Sequence, residues 1–342
     1  MKAIVVEQFG GPEQLKLVER PRPTPGPGEA LVQVAACGVC YHDVLDRSGR
    51  LPGVRLPLVL GHELSGTVAE VGAGVHTVRP GDRVVVYQRA TCGACRYCLD
   101  GRHDLCRQGG LLGSHVDGGY AEYLVVRAHN LVPLPPGMAF ADAALSVCPI
   151  ATSLHAVRAV ADVGLGDVVL VTGAGGGLGL HQIALSRLCG AEVIAVTTSE
   201  SKIAALRDAG AAEVILAPDL RFSAQVWGLT AKQGVSVVLD NVVTGTFGES
   251  LRSLGLDGRL VILGNIQVAS VELNPGLAIT RRLRILGSGN CTLREVREVV
   301  NLVGEGKVRP AIGAVLPFAD AAEAHRRVER RGIVGRAVLA GW

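Results

Sequence analysis

Apolar and polar positions along the chain change rhythm near residue 150. Before it, short alternating runs read as strands. One lies at the N-terminus, a second at 29–35 is delivered by the helix-breaking segment 21–28, and others fall at 66–71 and 83–87. Gly72, Gly74 and Gly81 punctuate them, so the first 130 residues predict an irregular β domain. Residues 151–160 then have helical spacing and lead into an apolar strand at 168–172. A glycine turn follows, and a helix over 178–188 with Leu180, Ile183, Ala184 and Leu188 on one face. Strands recur at 192–197, 213–216, 235–240, 259–263 and 283–286, with helices at 201–209 and 247–254 ending on Gly210 and Gly255. Six strands linked by right-handed crossovers predict a doubly wound parallel sheet, an α/β fold. A helix near 319–329 and a strand at 336–339 are expected to return to the first domain.

A chain of 342 residues fits two domains. With 48% hydrophobic and 19% charged residues it reads as a soluble globular protein. No run approaches the roughly 18 apolar residues of a membrane span. The start, Met1-Lys2-Ala3-Ile4, reads as a strand rather than a secretory signal. The expected setting is therefore the cytoplasm, with no membrane partner. A net charge of +3 gives no reason to expect nucleic acid, and the arginines at 281–284 and 326–331 read as solvated faces. Nine cysteines, odd in number and clustered, suggest metal rather than disulfides.

Cys92-x-x-Cys95-x-x-Cys98-x7-Cys106 is the most specific motif. Four thiolates at these spacings can close a tetrahedral shell, the structural kind of zinc site. A metal that does chemistry keeps a position open, which calls for three dispersed ligands. Cys40, His62 and Cys148 form such a set, with Asp43 a candidate to fix the His62 tautomer and Glu63 able to approach the ion from another side. Cys37, Cys189 and Cys291 read as small buried apolar residues. The turn Gly173-Ala174-Gly175-Gly176-Gly177-Leu178-Gly179 lets backbone N–H groups at a helix start approach a pyrophosphate. Read back from Gly179 and Gly176, its first glycine position holds Ala174. Where an acid would hold the ribose 2′-hydroxyl stands Thr197, followed by Thr198 and Ser199, with Lys202 a turn on. Such a set can hydrogen-bond a 2′-phosphate and favours NADP(H) over NAD(H); the rival is Glu200 swinging back to the ribose.

These motifs, with Gly61-His62-Glu63, Cys148-x-x-x-Thr152 and Gly335-Arg336, resemble the zinc-containing medium-chain dehydrogenase/reductase superfamily, alcohol dehydrogenase type, from end to end. The resemblance implies a discontinuous GroES-like catalytic domain, 1–151 with 287–342, around a six-stranded Rossmann domain at 152–286, with substrate in the cleft between them. It implies two zinc ions per chain, the catalytic one on Cys40, His62 and Cys148. It also sets Thr152 beside the nicotinamide and Arg336 toward the cofactor phosphates. Zinc polarises a carbonyl or acidifies an alcohol while hydride passes to or from the nicotinamide. The assembly it implies is a homodimer or homotetramer acting on a small carbonyl, alcohol or enone.

Two positions depart from the alcohol dehydrogenases. The relay Ser or Thr two residues after the first ligand cysteine is His42, and the histidine often found three further on is Leu45. An aromatic wall position, four before Cys92, is Gln88. In both the chain looks more like the acryloyl-CoA and quinone reductase branch. The expected reaction is alcohol–carbonyl interconversion, with His42 supplying the proton. The alternatives are reduction of an activated C=C bond and a cofactor-binding protein without turnover.

Overall fold

In the computed structural model, which describes residues 1–264 and 267–342, the strand that leaves the proline-rich segment runs from Glu29 to Val39, past its expected end at 35. Its first half pairs with Tyr123–Arg127, and along its length it pairs with Glu63–Val71 in antiparallel register, Gly38 opposite Glu63. On its other side lies the last strand, Arg336–Ala340, with Ala337 opposite Val39. The sheet continues outward through Arg83–Val86 and Leu131–Pro133 on one side and Ile312–Leu316 on the other. This is the framework of the first of two compact units, Met1–Ala151 together with Cys291–Trp342. The chain thus returns to it at Cys291, four residues beyond the expected 287. Val32, Val34, Leu64, Val84, Val86 and Leu339 line its core.

The second unit, Thr152–Asn290, holds a parallel sheet among whose described strands Val168–Val171 is central. The order outward on one side is Glu192–Thr197, Glu213–Leu216, and on the other Val235–Asp240, Leu254–Ile262, Arg284–Gly287. Val169, Leu170, Val171, Val237, Val238 and Leu239 are fully buried. Helices on both faces of a parallel sheet leave no wet side, which is why these strands read as unbroken apolar runs.

One long helix differs from expectation. Helical spacing is visible from 151, but the helix runs from Phe140 to Val160, with π-type turns at Ser146–Ala151 and His155–Val160. Pro149 sits inside the first of these. A proline has no N–H to give the preceding turn, and a widened turn absorbs it without ending the helix. At 21 residues and mean hydropathy 1.4 this helix is long and apolar enough to cross a membrane, contrary to the expectation that no stretch would be; 72% of its most apolar window is buried within the protein. Three further helices, Ser223–Leu229, Pro275–Arg281 and Leu293–Gly304, carry no expectation from the sequence.

Candidate metal centre and cofactor site

Strand register assembles the first cluster. Where the Glu29–Val39 strand ends, Gly38 faces Glu63 and Val39 faces Ala337, so Cys40, His62 and Arg336 are the next residues to meet. Cys40 is the N-cap of the helix Tyr41–Arg47, and Asp43 is its third residue. Asp43 Oδ2 accepts the Cys40 N–H at 2.8 Å, a carboxylate in its favoured place at a helix start. Its Oδ1 lies 3.0 Å from His62 Nδ1. An ionised carboxylate only accepts, so Nδ1 carries the proton and Nε2 is left with a free lone pair. Cys148 is supplied by the π-type turn of the long helix.

The donor atoms of Cys40, His62, Glu63 and Cys148 lie within 4.8 Å of one another. Their surroundings favour a cation. Cys148 hydrogen-bonds Cys40 and, with Arg336 and His62, holds its thiol well below the usual range. Burial opposes a charged His62 ring, yet Asp43 and Cys40 outweigh it and hold its pKa high. The same field favours a metal ion at Nε2. Glu63 is fully buried, its Oε2 has no hydrogen-bond partner, and burial pushes its pKa up to about 7. A desolvated carboxylate of this kind needs a compensating charge. Arg336 supplies part of it as an ion pair, Nη2 to Oε1 at 3.0 Å. Gly38 makes the room, since a Cβ there would stand 2.1 Å from Glu63 Oε2. These residues fit zinc on Cys40, His62 and Cys148.

The second cluster fits zinc more closely still. Cys92, Cys95, Cys98 and Cys106 hold sulfur–sulfur distances of 3.9 Å (92–98), 3.6 Å (95–98), 4.0 Å (95–106) and 3.7 Å (106–92). A tetrahedron with Zn–S bonds of about 2.3 Å has edges of about 3.8 Å, whereas a disulfide needs about 2 Å. Backbone N–H groups of Ala94 and Cys95 lower the Cys92 thiol to about 6.

Other expected residues fall into place less uniformly. His42 is half-buried, with Nε2 3.3 Å from Asp46 Oδ2 and its ring edge-on to His62 at 5.7 Å between centroids. Burial lowers its pKa, and burial pushes Asp46 up to about 7. Arg336 was expected at the cofactor phosphates; what the structure shows is its guanidinium on Glu63, with Nε buried and without a partner. Cys37 and Cys291 are buried, but Cys189 is only half-buried at the end of its helix.

In the parallel-sheet unit the helix Gly177–Leu188 begins one residue earlier than expected, with Gly176 as N-cap. Gly173 takes a left-handed φ of 57°, and a Cβ on Gly179 would meet the Ala174 backbone at 2.5 Å. The turn therefore packs tightly on the helix start and leaves the N–H groups of Gly177, Leu178 and Gly179 at its mouth. Lys202 lies across Gly175, its Cδ 2.5 Å from where a Cβ would be. Thr198 is exposed and Ser199 half-buried, its hydroxyl 2.9 Å from that of Ser201. Thr197 is buried, and its hydroxyl accepts the Ser199 N–H at 3.1 Å, a bond that shapes the turn. Thr152 carries a buried hydroxyl with no hydrogen-bond partner.

Residues 26–136 match the alcohol dehydrogenase GroES-like domain, and residues 177–305 match the zinc-binding dehydrogenase domain. The chain is 34% identical to an acryloyl-coenzyme A reductase of Sulfurisphaera tokodaii over 99% of both chains. The crystal structure of AibC superposes with a TM-score of 0.93 at 43% identity, covering 100% of this chain and 96% of that one. A crystal structure of an NAD-dependent alcohol dehydrogenase follows with a TM-score of 0.92 at 37% identity, covering 100% of each.

Proposed function

The chain belongs to the zinc-containing medium-chain dehydrogenase/reductase superfamily as an oxidoreductase, and from that premise we propose that it interconverts an alcohol with an aldehyde or ketone using NADP(H). The observation that carries the reading is the convergence of Cys40, His62 and Cys148 beside a desolvated Glu63. Bound there, zinc supplies Lewis acidity at a substrate oxygen, worth several kcal/mol, and bound NADPH supplies the hydride.

The chain's own residues do the rest. Asp43 holds the His62 ring in the tautomer that leaves Nε2 free. Glu63 and Arg336 balance the charge behind the ligands. His42, paired with a protonatable Asp46, delivers a proton from its imidazole to the reduced oxygen and regains one through Asp46. Backbone N–H groups of the glycine turn would hold the pyrophosphate of a bound dinucleotide, with Thr152 available to its nicotinamide and Thr198, Ser199 and Lys202 to its 2′-phosphate. Nine cysteines with no disulfide among them suit a reducing cytoplasm.

A second reading, hydride delivery to a C=C bond conjugated with a carbonyl, is favoured by one observation. No hydroxyl stands at the relay position, and His42 Nε2 is turned to Asp46. The named acryloyl-coenzyme A reductase relative agrees with it. His62→Ala tests the reading shared by both. It should cut zinc from two to one per chain and abolish NADPH-dependent reduction while NADPH still binds. Two zinc ions retained by the variant would remove the ligand set, and full activity with one would remove that zinc from the reaction.

A further inference from the structure

Behind His62 a line of fully buried polar side chains crosses the first unit to the helix Ala321–Glu329. Arg47 Nη1 lies 3.1 Å from His325 Nδ1, and His325 Nε2 lies 3.2 Å from the Tyr120 hydroxyl. That hydroxyl is 3.5 Å from Asp43 Oδ2, on the carboxylate whose other oxygen meets His62. We propose that Arg47, His325 and Tyr120 are positioning residues that fix a hydrogen-bond chain running one way into Asp43, the carboxylate that holds the metal-facing ring of His62. The proposal rests on the reading of Cys40, His62 and Cys148 as ligands.

The direction follows from the donors available. An arginine N–H can only donate, so His325 Nδ1 must accept and the ring proton must sit on Nε2. Nε2–H then donates to Tyr120, whose oxygen has accepted and whose own hydrogen is free to go on to Asp43. Asp43 in turn accepts from His62 Nδ1–H. Reversing any link would set two donors or two acceptors face to face somewhere along the line, and with every member buried no water is at hand to repair it. Burial also pushes the His325 pKa down to about 4, which keeps the ring neutral.

The outer end is anchored. Arg47 Nη2 pairs with Glu329 Oε1 at 2.5 Å, and its Nε donates to the Gly10 carbonyl at 3.1 Å, so the guanidinium has one orientation. The inner end is anchored by shape. Gly61, directly before His62, has φ 97°, and a Cβ there would lie 2.5 Å from Tyr120 Cδ1. The phenol ring therefore packs against the backbone that presents the ligand. Without the Tyr120 hydroxyl, Asp43 Oδ2 keeps only the Cys40 N–H, and the carboxylate plane is free to turn about it.

The test is zinc affinity of the full chain, by competition with a chelator, with freed thiols counted. Loss of this zinc frees two thiols, Cys40 and Cys148; loss of the four-cysteine zinc frees four. Removal of a ligand's hydrogen-bond partner typically costs 10- to 100-fold in affinity, and one step further out the loss should be about 3- to 10-fold. Tyr120→Phe and His325→Leu should each show it at the two-thiol site and leave the four-thiol site unchanged. His325→Gln should restore wild-type affinity, because its Oε1 can accept from Arg47 while its amide donates to Tyr120. Equal affinity in all four proteins, or His325→Gln no better than His325→Leu, overturns the chain while leaving the ligand set standing. A wild-type protein whose only zinc frees four thiols removes the ligand reading, and the chain's role with it.

Discussion

Cofactor choice is decided by a few side chains past the strand Glu192–Thr197. Thr197, expected from sequence at the 2′-phosphate, is buried and closes a local bond with the Ser199 N–H, so the more accessible neighbours are the ones to test first. That leaves Thr198, Ser199 and Lys202. A lysine held across the glycine turn is a point charge near any 2′-phosphate and indifferent to a 2′-hydroxyl. Lys202→Ala should therefore lower kcat/KM for NADPH about tenfold and leave NADH within twofold, as steady-state kinetics would show. A wild-type enzyme that uses NADH as well as NADPH would mean the strand end had been misread. Cys40, His62, Cys148 and Asp43 could be named from the sequence as a candidate set, dispersed as they are, and the fold brings their side chains together. The Glu63–Arg336 pair could not, for it arises from strand register between residues far apart in the chain.

At the scale of elements, the glycine turn and the parallel strands were readable because buried strands are apolar runs of fixed length. Glu192–Thr197, Glu213–Leu216 and Val235–Asp240 fall where the pattern put them. The long helix was half hidden by Pro149. The helix Leu293–Gly304 was missed although a signal for it was there: Thr292 and Glu295 form a capping box, with Thr292 N donating to Glu295 Oε2 at 2.6 Å. A tertiary cap is less visible. Glu249 in the helix Phe247–Ser253 accepts the N–H groups of Phe222 and Ser223 at 2.8 and 2.7 Å, closing the start of another helix, and also pairs with Arg252. Burial opposes its ionisation, but Arg252 and these N–H groups prevail and bring it to about 2, against an ordinary 4.5. A depressed carboxylate stabilises above its unfolded value and loses that stabilisation as pH falls from about 4.5 toward 2. Glu249→Gln should cost about 1–2 kcal/mol at pH 7, allowing for solvent screening. In urea titrations the deficit should shrink at pH 4. A deficit that grows on acidification would contradict this assignment.

For the whole molecule, the two matched family domains and a relative 34% identical over 99% of both chains place the chain in its family. The remaining features bear on assembly and reaction. Arg284–Gly287 is an edge strand of the parallel sheet, with Ile285 37% exposed and Ile279 on the preceding helix 73% exposed. Bare apolar edges invite pairing with another copy, which supports a homo-oligomer. Ile285→Glu should lower the mass measured by light scattering toward that of one chain, and an unchanged mass would place any interface elsewhere. The reaction itself is tested by an α,β-unsaturated aldehyde given with NADPH deuterated at the transferable C4 position. Hydride to the carbonyl carbon puts the label on the carbinol carbon of an unsaturated alcohol, the result predicted here. Deuterium on the β-carbon of a saturated aldehyde would contradict it and make this an alkene reductase.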